Sequence, residues 1–126
     1  MNDSCNEPVT MAVDTKKYGI RIHKALFRQL GEPRYIQLLV NPTNGAVAIQ
    51  AVDKEISGGQ THRIVEKRMQ SKKSYEIYSR TFIQKLRDLE PQIENGCTYR
   101  LTGSMIPYLK SAVFSLNTLQ RMDQKG

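Results

Sequence analysis

The sequence predicts an α+β fold in which two tandem strand-strand-helix-strand-strand repeats interleave into one mostly antiparallel β body with two short helices. Three observations predict it. First, TKKYGIRIHKALFRQLGEP from Thr15 and SKKSYEIYSRTFIQKLRDLEP from Ser71 read as versions of one another. Without a gap they share Lys16/Lys72, Lys17/Lys73 and Leu30/Leu86, and a two-residue insertion before Leu89 restores Glu32/Glu90 and Pro33/Pro91. Second, each copy is preceded by one β-favouring run and followed by two. Third, Asn41-Pro42-Thr43-Asn44-Gly45 separates two apolar runs, and an Asn-Gly step suits the positive backbone angles of a hairpin turn.

In chain order, Val9 to Val13 is a short strand ended by the polar turn Asp14-Thr15-Lys16-Lys17. Ile20 and Ile22 flank Arg21 with the period of a half-buried strand, which turns Arg21 to solvent. From Lys24, Leu26, Phe27 and Leu30 share one helical face, and Gly31 with Pro33 stops the helix. Tyr35 to Val40 and Ala46 to Val52 are the hairpin strands. Beyond the glycines, Arg63 to Met69 alternates faintly and Tyr75 to Tyr78 repeats the strand before the helix. Ser79 then supplies an N-cap hydroxyl, and Phe82, Ile83, Leu86 and Leu89 line a second helix ended by Pro91. Thr98 to Thr102 reads as a strand. Leu109, Ala112, Val113, Leu116 and Leu119 fit a helix by period, whereas the repeat predicts a strand there, and both readings stand.

The 126 residues suffice for one core, which the absence of Trp and the three Phe make aliphatic. The organisation expected is a tail over 1–8, a first half over 9–56, a glycine-bearing linker over 57–61, a second half over 62–116 and a tail over 117–126. No apolar run is long enough to cross a bilayer, and MNDSCNEPVT lacks the basic and apolar regions of a signal peptide. Cys5 and Cys97 make neither a CxxC nor a metal spacing, so reduced thiols in the cytoplasm are expected.

The net charge is +7, of which residues 1–60 supply +1 and residues 61–126 supply +6. Such an excess favours polyanionic partners, nucleic acid first. Lys16, Lys17, Lys72 and Lys73 fall at equivalent turns, with Arg21, Lys24, Arg63, Lys67, Arg68 and Arg80 near them in sequence. Ordinary solvated turn charges are the plain alternative. Catalysis has little to stand on: His23 and His62 form no HExxH or HxH pattern, Cys97 has no assignable base, and Gly58-Gly59 lacks the phosphate-loop signatures. No cofactor or metal is expected.

The run IRIHKALFRQLG, Ile20 to Gly31, resembles the strand, Ile-Pro, helix-ending-Leu-Gly signature of the AbrB/SpoVT regulators and MazE-type antitoxins, with Ile22, Leu26, Arg28, Leu30 and Gly31 matching. The pattern covers about a third of the chain directly and another third through the repeat. It implies a swapped-hairpin fold, interleaved within one chain, and DNA binding by the basic turns. His23 stands where the family's proline is usual, and Tyr18-Gly19 replace its glycine and arginine. The cell-division regulator MraZ also carries two such units, but its Asp-x-Lys-Gly-Arg signature is missing here. The expected function is therefore non-enzymatic duplex DNA binding through Lys16, Lys17, Arg21, Lys24, Lys67, Arg68, Lys72, Lys73 and Arg80, as a transcriptional regulator or accessory factor. The alternative is a protein-interaction module, antitoxin-like or part of a mobile element, without DNA affinity. The chain is expected to be a monomeric pseudo-dimer or a homo-oligomer, away from membranes.

Overall fold

A computed structural model describes residues 8–56, 61–64 and 73–122. Its elements are β1 (Pro8–Asp14), β2 (Gly19–His23), α1 (Lys24–Gln29), β3 (Tyr35–Asn41), β4 (Ala46–Val52), β5 (Thr61–Arg63), β6 (Ser74–Tyr78), α2 (Arg80–Leu89), β7 (Thr98–Ile106), β8 (Ser111–Ser115) and β9 (Gln120–Arg121). The strands join in one nearly closed antiparallel sheet, in the order β5-β3-β4-β8-β7-β1-β2-β6, with β9 beside β7. Two consecutive hairpins, β3-β4 and β7-β8, are thus stitched together by β4-β8, and β1 and β2 join β7 to β6.

Period-2 patterning decides which side chains enter the core. Val9, Met11 and Val13 of β1, Ile20 and Ile22 of β2, Val47 and Ile49 of β4, and Ala112 and Phe114 of β8 are buried, while the residues between them point outward. Two helices cover this interior. α1 contributes Leu26 and Phe27, and the Phe27 ring meets Tyr75 of β6 edge to face, 5.6 Å between centroids. α2 contributes Phe82, Ile83 and Leu86. Each helix starts on a side-chain acceptor: His23 Nδ1 accepts from Ala25 N at 3.0 Å and Ser79 Oγ from Phe82 N at 3.2 Å.

The protein is richer in sheet than the repeat pattern implied. β7 does not end at Thr102 but runs on through Gly103 and Ser104 to Ile106. Residues 109–119 resolve to strand β8 between two 3-10 turns, Pro107–Leu109 and Leu116–Thr118. The reason is that Ala112 and Phe114 are buried on either side of a half-exposed Val113, a strand alternation that the helical spacing of leucines had masked. β1 opens at Pro8, β5 at Thr61 and β9 lies at Gln120–Arg121, so paired backbone reaches into segments read as tails and linker. The faint alternation over Arg63 to Met69 lies mostly outside the described residues.

Candidate nucleic-acid interface

The two segments bearing the predicted cations are hydrogen-bonded neighbours. β2 pairs with β6 over five residues, Gly19 opposite Tyr78 through His23 opposite Ser74. Backbone bonds close the pair at both ends: Ser79 N donates to Tyr18 O at 3.0 Å, and Lys24 N donates to Lys73 O at 2.8 Å.

At the first end the β1-β2 turn is held from inside. Buried Thr15 accepts from Cys97 N at 3.0 Å through Oγ1, and its own N donates to Cys97 O at 3.0 Å. Asp14 Oδ1 accepts from Lys16 N at 2.8 Å, the short-range bond typical of Asp in turns. Lys16 and Lys17 are left exposed, and Tyr18 takes the left-handed conformation at φ 58°. Arg80, from the first turn of α2, stacks 4.0 Å above the Tyr18 ring centroid. Lys16, Lys17 and Arg80 therefore form one basic end. Lys24 and Lys73 form the other. The two ends lie ~20 Å apart, six residues of strand at ~3.3 Å each. Lys16 and Lys17 accordingly sit at one end of the ribbon and Lys73 at the other. Lys67, Arg68 and Lys72 lie outside the described residues.

The ribbon's outward centre is Arg21 opposite Glu76, with Arg21 Nη2 4.0 Å from Glu76 Oε2 and side chains 41% and 26% exposed. Arg21 is thus not a free cation. The pair is long, but Glu76 Oε2 is buried and accepts no hydrogen bond, so Arg21 is the charge that answers it, and its leaving would expose a buried carboxylate oxygen without a partner. Glu76 is a residue that cation counting missed, although the alternation in SYEIY turns it outward beside Arg21. Its Oε1 accepts from the Tyr78 hydroxyl at 3.1 Å, and its Oε2 would stand 2.8 Å from a Cβ on Gly19. The missing side chain at Gly19 is what lets the carboxylate lie across β2. Arg100 was missed too: it pairs with Ala12, itself opposite Arg21, and so extends the outer row Glu76-Arg21-Ala12-Arg100. Alternation in TYRLT carried that signal.

The shifted titrations lie off this ribbon. Burial lowers His62 from its ordinary 6.5, and burial raises Tyr99, whose hydroxyl accepts from Glu94 N at 2.8 Å and donates to Gln92 O at 3.2 Å. Among the described residues no three His, Cys, Asp or Glu side chains gather as a metal site, and no helix is long and apolar enough to cross a membrane. Comparison with family models, curated proteins and solved structures gives no match.

Proposed function

We propose that this chain is a duplicated swapped-hairpin protein, of the kind the AbrB/SpoVT resemblance implies, which binds duplex DNA with the outer face of the β2-β6 ribbon as a regulator or accessory factor. One observation carries the reading. Cations far apart in sequence converge on this ribbon, whereas β3, β4 and β8, YIQLLVN, AVAIQAV and SAVFS, hold no charged residue at all. Two basic ends ~20 Å apart match about six base pairs of duplex at 3.4 Å each, so both can engage phosphates of one site.

Duplication is supported by pairs of hydrogen bonds that exchange between halves. Ser79 N to Tyr18 O becomes Lys24 N to Lys73 O when each partner moves by 55 residues. Leu116 N to Gly45 O becomes Ala51 N to Lys110 O when each moves by 65. Gly45 and Lys110 are both left-handed, at φ 70° and 51°, and each closes a turn that opens with Pro42 or Pro107. In this correspondence Lys17 matches Lys72 and Tyr18 matches Lys73. The gapless alignment is therefore one residue out in the strand, because His23 is both strand end and helix cap where the second half uses Tyr78 and Ser79.

The test is a salt titration of binding to random duplex. Each lysine touching a phosphate adds about 0.9 to the slope of log affinity against log salt. Changing Lys16, Lys17, Lys24 and Lys73 to Gln is expected to flatten that slope by roughly two to four units and to weaken all sequences alike. The exposed controls Lys54→Gln and Lys110→Gln, beyond the far ends of β4 and β7, should change it by less than one unit. Absence of binding at low salt, or controls that matter as much as the ribbon lysines, hands the function to the protein-interaction reading.

A further inference from the structure

A cleft of ≈510 Å³ opens between the loop that follows α1, the end of β4 and the β7-β8 turn, within the roughly 300–1,000 Å³ of small-ligand sites. We propose that it binds a small zwitterion with an apolar body, of the kind a free aliphatic dipeptide represents. The proposal does not rest on DNA binding. Four charged side chains line the cleft, Glu32 and Asp53 of one sign, Arg34 and Lys110 of the other. Opposite charges attract, yet none of these four makes an ion pair or a side-chain hydrogen bond among the described residues. Leu30 and Val52 add apolar surface.

The backbone singles out two of the four. Among the described residues the left-handed ones other than glycine are Tyr18, Glu32 and Lys110, and the last two line this cleft. Such backbone is strained for a residue with a Cβ, and strain of this sort gathers at ligand sites. Neither turn demands the side chain. In the β3-β4 hairpin the left-handed residue is Gly45, whose carbonyl accepts from Leu116 N at 3.0 Å, just as that of Lys110 accepts from Ala51 N at 2.8 Å. The end of α2 has Glu90 extended at φ -132°, whereas α1 is followed by left-handed Gly31 and Glu32. The strained positions thus place one cation and one anion on the same cleft.

The balance of charge selects the ligand. A phosphate or nucleic acid would meet two carboxylates, a metal ion or polyamine would meet two cations, and an uncharged molecule would use none of the four. A zwitterion answers both signs, its carboxylate to Lys110 and Arg34 and its ammonium to Glu32 and Asp53. Two residues of extended chain hold such ends ~7 Å apart, with aliphatic side chains between them for the apolar surface.

The test is amide chemical-shift mapping with leucyl-leucine, its N-acetyl form and its C-terminal amide. The free dipeptide is expected to shift Gly31, Glu32, Arg34, Asp53 and Lys110 saturably. Blocking either end should weaken binding roughly ten- to a hundredfold, the worth of a hydrogen bond to a charged group. Lys110→Gly relieves the left-handed backbone, so it should keep or raise the thermal midpoint while narrowing the preference for acid over amide. Glu32→Gln should narrow the preference for the free over the acetylated amine and leave the other preference unchanged. No saturable shift at millimolar dipeptide, or equal binding of the three forms, would overturn the proposal. A Lys110→Gly variant that loses stability with its acid preference intact would overturn it as well.

Discussion

Gly103→Ala is expected to abolish cooperative folding. A Cβ at this position would stand 1.9 Å from Val113 O and 2.7 Å from Phe114 Cα. Both are backbone atoms, so no rotamer change relieves the clash. Gly103 pairs with Val9 on one side and Phe114 on the other, where β1, β7 and β8 meet, and β8 in turn pairs with β4. Opening β7 from β8 would split the β7-β8 hairpin and part β3, β4 and β8 from β7, β1, β2 and β6. The cost should exceed about 4 kcal/mol, in the range reserved for a steric conflict in a core. Against a total stability of roughly 5–15 kcal/mol, that removes most or all of the folded population. Denaturant unfolding followed by circular dichroism checks it, and a transition at the parental midpoint would show that the β7-β8 approach is looser than described.

Leu86→Ala should cost about 2–5 kcal/mol while leaving the fold recognisable. Leu86 is 0% exposed on α2 beside Phe82 and Ile83, so truncation loses the transfer energy of the side chain and leaves a cavity. Alanine is the best helix former, hence the loss cannot come from α2 propensity. The exposed neighbour Lys85→Ala is the control and should stay within about 0.5 kcal/mol. Equal denaturation midpoints for the two variants would place the Leu86 face in solvent.

Local chemistry was the legible part of the sequence. The Ser79 cap, the turn at Asn41 to Gly45, and the buried faces Leu26/Phe27 and Phe82/Ile83/Leu86 all follow from patterns within a dozen residues, and the structure has them, whereas the His23 cap was not read. Partnerships across the chain were not legible, because periodicity says which way a side chain points and not which strand lies beside it. That is why Glu76 was missed as the neighbour of Arg21, Arg80 as the neighbour of Tyr18, and Arg100 as part of the same outer face. If the proposed repeat holds, compensating sizes hide it in the hairpins β3-β4 and β7-β8. Under that proposal Leu38 opposite Ile49 would correspond to Gly103 opposite Phe114, a small residue making room for a large one, and such a pair leaves no identity to align. The helices differ as well, six residues in α1 and ten in α2, which moves the register between strand pairs.

The central claim is that the charged ribbon meets DNA while the uncharged strands β3, β4 and β8 do not. Amide chemical-shift mapping at low salt, on titration with a short random duplex, tests this most directly. The account predicts shifts over Lys16 to Lys24 and Lys73 to Arg80 that fade as salt is raised, with Leu39, Ala48 and Val113 unmoved. Shifts centred on β3, β4 and β8, or none anywhere at low salt, would contradict it.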